Sequence, residues 1–328
     1  MKHVSILLLH HVNLAGMENA RQGFLEANTY LKQQGQSPMF DVEIVGQDCK
    51  VRLNRGLYTI EADRLVNEVQ ETDMILIPPV QKLLTAEAIK KNQGFCPWIR
   101  DKRDKGAQVA SLCLGAFILG STGLLNGKSC VTHWRAAADF QKLFPEINVV
   151  PDKILTDEDG IYTGGGAFSS ANLILYLIEK HVGKEAAIYC SKIFQIDMGR
   201  NTQSPFIIFT GQKDHGDEQI KQVQDFIESH YQDKMTVEGL CERFNLVRRT
   251  MERRFKKATT NTVVEYIQRV KVEGAKRALE NGHKTVYEIM FDVGYTDTKA
   301  FRNVFRKYSG MSPADYRTKH VRVGTAPL

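Results

Sequence analysis

The sequence predicts an α/β sandwich with a mostly parallel sheet, followed by an all-α domain carrying two helix–turn–helix motifs. Three observations lead there. Short apolar runs alternate with amphipathic stretches over the first two-thirds of the chain, as strands alternate with helices in layered α/β domains. Helical periodicity with capping signals takes over from about residue 218. Basic residues collect in that last third: residues 218–328 hold 21 Lys+Arg against 14 Asp+Glu, a net of +7, whereas residues 1–217 hold 23 against 24. A length of 328 residues accommodates two domains. Their expected spans are 1–203 and 218–320, with 204–217 as the linker.

Residues 4–9, VSILLL, are a continuous apolar run, the pattern of a parallel strand covered on both faces. A helix follows from Glu18 to Gln33 and stops before Gly35. Phe40 to Val45 alternates as a second strand, and Val51 to Ile60 reads as a small hairpin or irregular arm. Met74–Ile77 is another buried strand, closed by Pro78-Pro79. Helical segments occupy 83–104. Ala107–Leu112 is the next strand and runs directly into Cys113–Phe117, which opens a helix. Residues 168–183 and 184–198 are two further helices, and 200–217 are loop-like. No run of eighteen apolar residues occurs, so no membrane helix and no membrane partner are expected. The N-terminal run ends in His10-His11 without a small-residue cleavage motif and reads as a strand rather than a signal peptide. The six cysteines form no CxxC pair and no zinc spacing, which fits a reducing cytoplasm and no metal site.

In the all-α domain, Val237, Leu240, Cys241 and Phe244 recur at helical spacing, and Asn245-Leu246 breaks the pattern. Met251 and Phe255 give the next helix, which begins near Val247, an apolar face. Arg248, Arg249, Arg253, Arg254, Lys256 and Lys257 crowd its other side. Thr262-x-x-Glu265 is a capping box that opens a connecting helix with Val263, Ile267, Val270, Gly274 and Ala278 on one face. That helix ends at Asn281-Gly282. Thr285-x-x-Glu288 is a second capping box. Ile289, Met290 and Val293 face inward and Gly294 supplies the turn. The final helix of the pair begins near Asp297, about fifty residues after its counterpart, and has Phe301 and Phe305 as core anchors. Lys299, Arg302, Asn303, Arg306 and Lys307 are left outward. A helix–turn–helix places its second helix in the major groove, where Arg and Asn pair with base edges. Two such helices on a rigid connector reach successive grooves about 34 Å apart.

The stretch Ser111-Leu-Cys113-Leu-Gly115 is the most chemically suggestive part of the first domain. A nucleophile at a sharp strand-to-helix turn is exposed at the carboxyl edge of a sheet. A helix N-terminus also favours the thiolate. His133 follows twenty residues on, at the end of another strand, which would bring an imidazole beside that thiol. Spacing alone leaves the structural reading open, since a single Cys and a single His also serve a core. Gly164-Gly165-Gly166 offers amides to an anion at the next helix N-terminus or forms a plain tight turn; it does not match the P-loop pattern.

Residues 218–317 resemble the DNA-binding domain of the AraC/XylS family of bacterial transcription regulators. Gly294, Tyr295, Phe301, Phe305, Arg306, Gly310, Pro313, Tyr316 and Arg317, within GYTDTKAFRNVFRKYSGMSPADYR, carry the likeness. Val247 departs from it, standing where the family usually has a small hydroxyl residue capping the first recognition helix. Residues 1–195 resemble the flavodoxin-like fold of class I glutamine amidotransferases, in the PfpI-type branch found fused to AraC domains. Ala110–Phe117, Leu124–Lys128, Thr132-His133-Trp134 and Tyr162–Gly166 carry this second likeness. Met17 and Asn172 depart from it, where the fused regulators usually have Pro and often have Asp. Active members of that branch use Cys and His at the positions of Cys113 and His133, and Glu18 stands where an acidic partner is often found. In the fused regulators the domain senses a small molecule. The resemblance therefore implies an effector pocket at Glu18, Cys113, His133 and Gly165, with no catalytic residues and no cofactor.

These observations lead to a sequence-specific DNA-binding transcription regulator. Arg248, Arg249, Arg253, Thr298, Arg302 and Asn303 are the expected base readers. Lys256, Lys257, Arg306 and Lys307 are the expected phosphate contacts, with Lys299 on the same face. The expected partners are a double-stranded DNA operator, a small-molecule effector, a second copy of the chain and RNA polymerase; that the effector contains nitrogen is what the family resemblance implies. The rival reading is a cysteine-dependent hydrolase or amidase, through Cys113 and His133, joined to a DNA-binding domain.

Overall fold

The apolar run at the N-terminus becomes β1 (Lys2–Leu8), in which Val4 to Leu8 are all buried. The computed structural model describes residues 1–81, 85–166 and 168–321. Asn13 ends the loop after β1 and caps α1 (Leu14–Gln33), its side chain accepting from the Gly16 N–H at 3.0 Å. That cap starts the helix a turn earlier than its apolar periodicity implied. β2 (Phe40–Gly46) follows, then the hairpin of β3 (Lys50–Leu53) and β4 (Tyr58–Glu61), then β5 (Arg64–Leu65) and β6 (Met74–Ile77). α2 (Thr85–Lys91) and α3 (Phe95–Asp104) fall within the expected helical stretch, whose first residues, 83 and 84, lie outside the described residues. β7 (Gln108–Leu112) leads through a tight turn at Cys113–Gly115 into α4 (Ala116–Ser121).

Several short elements come next: β8 (Ser129–Cys130), α5 (Ala137–Leu143), β9 (Asn148–Val149), β10 (Leu155–Glu158) and β11 (Ile161–Gly164). α6 (Ser170–His181) and α7 (Lys184–Phe194) close the first unit, Met1–Gln203. Among the described residues its main sheet has seven strands in the order β10-β11-β7-β6-β1-β2-β5. All neighbours run parallel except the edge strand β10. The chain moves from β1 outward to β2 and then returns to the other side of β1 with β6. This reversal opens a crevice at the carboxyl ends of β1 and β6, where α/β sheets bind ligands. α1, α6 and α7 pack on one another, while α2 and α3 each pack on α4, so the sheet is clothed by two groups of helices.

The second unit, Ser204–Leu328, is helical among its described residues. It contains α8 (Glu218–Ser229), α9 (Val237–Arg243), α10 (Arg248–Thr259), α11 (Val263–Asn281), α12 (Val286–Asp292), α13 (Thr298–Ser309) and α14 (Pro313–His320). Two hydrophobic clusters hold it together. Val263, Tyr266, Ile267 and Val270 of α11 join the first with α8, α9 and α10. Val272, Ala275 and Leu279 of the same helix join the second with α12, α13 and α14. α11 is thus the shared spar of two small domains. Both capping boxes form as the residue pattern requires, at Thr262/Glu265 and Thr285/Glu288. The α11 C-cap is Gly282, at φ 75°.

Residues 204–217, expected as a linker, are fastened to this second unit. The Phe206 ring meets His320 at 5.8 Å, and the Lys276 ammonium donates to the Ile207 carbonyl at 2.8 Å. Phe209 packs edge-on against Tyr266 at 5.1 Å. Lys213 pairs with Asp225 and Glu228 of α8, both at 2.7 Å. The stretch looks polar and irregular in sequence, yet Phe206 and Phe209 each find a ring partner in the second unit.

Candidate functional site

The two helix–turn–helix units repeat one another closely. In α10 the anchors Met251, Phe255 and Thr259 are buried, and in α13 so are Phe301, Phe305 and Ser309. Residues 251–260 and 301–310 have the same sequence of buried, half-buried and exposed positions. This burial leaves Arg249, Arg253, Lys256 and Lys257 exposed on α10, with Thr298, Lys299, Arg302, Asn303, Arg306 and Lys307 exposed on α13. The starts of the two helices differ. Asp297 caps α13, accepting from the Ala300 N–H at 2.6 Å, whereas Val247 precedes α10 with extended backbone and no side-chain cap.

Two arginines of α10 are engaged within the chain. Arg248 pairs with Glu238 of α9 and, at 3.0 Å, with Glu252. All three side chains are exposed, so solvent screens these pairs and exchanging them for a base edge costs little. Arg254 is different, and its expected place on the exposed face is corrected. It is half-buried and turned away, forking onto both Asp217 oxygens at 2.9 and 2.5 Å while donating to Gln219 at 2.7 Å. Its guanidinium holds the Asp217 carboxyl below the usual carboxylate range. Asp217 also caps α8, so Arg254 serves the fold.

In the first unit a cavity of about 280 Å³ lies at the crevice beside β1 and β6. Asn13, Asn19, Pro79, Gln81, Cys113, His133, Arg135 and Phe168 are among its walls. Asn13 is placed by its own N–H, which donates to the Pro79 carbonyl at 2.7 Å. Cys113 sits at φ 53°, the left-handed region that a side chain rarely adopts, at the turn between β7 and α4. The Thr132 hydroxyl holds its carbonyl at 2.9 Å. His133 caps the turn Trp134–Ala136 through Nδ1, which accepts from the Arg135 N–H at 3.2 Å.

The thiol is not poised as its position in sequence implied. Burial pushes it up to about 12, against a smaller opposing effect of the Leu114 N–H. Desolvation outweighs the helix-end field here because the side chain is only 4% exposed.

Two residues expected in this cavity are not among its walls. Glu18 is taken up by its own helix: it accepts from Arg21 Nε and Nη2 at 2.8 Å and from Gln22 Nε2 at 2.7 Å. Gly165 serves close packing. Its N–H donates to the Ile154 carbonyl at 2.8 Å, and a Cβ there would lie 2.2 Å from Nε2 of Gln203. That buried amide donates to the carbonyls of Thr132 and Lys153, both at 3.0 Å. Sequence reasoning missed Asn13, Asn19, Gln81 and Arg135. The N-cap position of Asn13, just before an apolar periodic run, was the readable signal.

Residues 24–180 match the DJ-1/PfpI family, and residues 240–319 match a family described as a helix-turn-helix domain. The HTH-type transcriptional regulator CdhR of Pseudomonas aeruginosa is 24% identical over 313 residues, covering 95% of this chain and 90% of its own. GbdR, another HTH-type transcriptional regulator of that organism, is 24% identical over 219 residues, covering 65% of this chain. The match spans 58% of the length of GbdR. Among solved structures, DJ-1beta of Drosophila melanogaster is similar over 60% of this chain and 98% of its own, with a TM-score of 0.50 and 17% identity. At that identity the likeness speaks for the fold alone.

Proposed function

We infer, for a chain that carries a DJ-1/PfpI domain ahead of an AraC-type helix–turn–helix domain, that it is a sequence-specific DNA-binding transcription regulator. The observation that carries this is the pair of like helices, α10 and α13, each buried on one side and basic on the other, set on a single helix. Arg249, Arg253, Arg302, Asn303 and Thr298 read bases, with Arg248 after exchange of its glutamates. Lys256, Lys257, Lys299, Arg306 and Lys307 contact phosphates, which position the protein without specifying sequence.

The cavity at Cys113 and His133 takes the effector. Its walls offer amides at Asn13, Asn19 and Gln81 with the Phe168 ring, a setting for a small polar metabolite that contains nitrogen. Effector binding shifts the balance between arrangements that differ in DNA affinity. The protein works as a homodimer in the cytoplasm, contacts RNA polymerase and has no enzymatic turnover.

The test is selection of duplexes from a random-sequence pool by the full chain. Enrichment of a sequence with two protected segments about one helical turn apart supports the reading, and no enrichment sinks it. One observation favours a second reading, a cysteine-dependent hydrolase. Cys113 adopts the strained left-handed backbone typical of a nucleophile turn. Against it stands the buried, protonated thiol. Turnover of an amide or ester library that disappears in Cys113→Ser would establish that second reading.

A further inference from the structure

Between the two helix–turn–helix units lies a groove of about 400 Å³, with Arg248 and Gln268 on its walls and Lys271, Gly294 and Tyr295 among the residues that line it. Lys271 stands in α11 between Val270, which belongs to the first hydrophobic cluster, and Val272, which belongs to the second. It is 6% exposed. Its ammonium donates to three carbonyls: Tyr231 at 2.5 Å, Asp233 at 3.0 Å and Val293 at 2.7 Å. All three of its donors are thereby used. Tyr231 and Asp233 follow α8, on the side of the first unit, while Val293 is the C-cap of α12 in the second. Gly294 completes the joint. Its φ is 74°, and a Cβ there would lie 2.3 Å from the Gln232 carbonyl and 2.6 Å from the Lys271 Nζ. The turn of the second unit therefore rests directly on the loop of the first, with one buried cation between them.

We propose that Lys271 is a positioning residue that fixes the separation and angle of the two recognition helices, and through them the spacing of the two DNA segments the protein accepts. This rests on the DNA-binding reading. A buried cation satisfying carbonyls from both sides has a single low-energy geometry, because moving either unit strands an acceptor. Hydrophobic contact along α11 resists separation but is non-directional, so it specifies the angle less sharply.

The experiment uses the full chain and the duplex that the wild-type protein selects from a random pool. One base pair is inserted between the two protected segments, which turns the far segment by about 35°. The wild type is expected to lose roughly tenfold or more in affinity, as the contacts of one helix are lost. Lys271→Met keeps the length and removes the charge. It is expected to bind the original duplex more weakly and to lose less than about threefold on insertion, and Lys271→Arg is expected to restore the penalty. If the Met variant does not unfold cooperatively, Lys271→Gln serves the same comparison. A variant that is less stable but keeps the full insertion penalty overturns the proposal and leaves Lys271 a structural group. A wild type that selects no sequence overturns the DNA-binding reading instead, and one that selects a sequence but protects a single segment overturns the proposal, since there is then no spacing for Lys271 to set.

Discussion

At Cys113, position in the fold and chemical environment oppose each other. The turn after β7 presents the residue at the sheet edge in left-handed backbone, but its thiol is buried and pushed up to about 12. The raised value keeps the thiol protonated through the neutral range, and reactivity grows as pH rises toward 12. Alkylation of the native protein by iodoacetamide at pH 8, followed by mass spectrometry, should therefore modify exposed Cys49 well before Cys113. The Cys113 rate should increase about tenfold per pH unit between 8 and 10 while the fold persists. Rapid labelling of Cys113 at pH 7 would contradict this environment. On α10 the corresponding test is Arg249→Ala. No ion pair within the described chain holds Arg249, so its loss should lower discrimination between selected and random duplexes by about 1–3 kcal/mol. Equal losses on both duplexes would assign it to phosphate. The motif around Cys113 was readable in sequence. The desolvation that decides its chemistry was not, because it depends on which segments close over the turn.

Elements differ in how openly their causes are written. The capping boxes of α11 and α12, the Phe301/Phe305 pair and the apolar run of β1 are local patterns, and the structure follows them. β8 and β9 are two residues long, too short for a two-residue period to register, and their pairing with each other across the α5 segment defines them. Glu18 and Gly165 are absent from the cavity walls for two different reasons. Arg21 and Gln22, which take up Glu18, lie three and four residues further along its own helix, a local pattern, whereas Gln203 is brought against Gly165 by packing. The start of α10 gives a direct test. Val247 has the extended backbone of an N-cap but no acceptor, so Val247→Ser should stabilise the protein by about 1 kcal/mol, read as a higher urea midpoint at unchanged slope. No gain would show that solvent already satisfies those N–H groups.

For the whole molecule, charge is the property that reaches furthest. The net of +7 on residues 218–328 against −1 on residues 1–217 concentrates phosphate attraction in the unit that holds α10 and α13. Affinity for DNA should fall steeply and log-linearly with salt. Lys257→Ala should reduce the magnitude of that slope by about 1 while leaving sequence preference intact, which filter binding at several salt concentrations would measure. A slope unaffected by this change would remove Lys257 from the phosphate contacts. This charge asymmetry was plain in composition, as was the division into an α/β and a helical part. The fastening of residues 206–217 was not, since nothing local distinguishes a strap from a linker until its partners are in place.

That fastening has an order. Travelling from residue 204, the chain is tied first at Phe206 and Ile207, to His320 and Lys276, and only later at Phe209 and Lys213, to Tyr266 and α8. A pull transmitted along the backbone from residue 203 would peel these ties in sequence, like a zipper opened from one end. The second helix–turn–helix would be loosened first, while the first kept its grip.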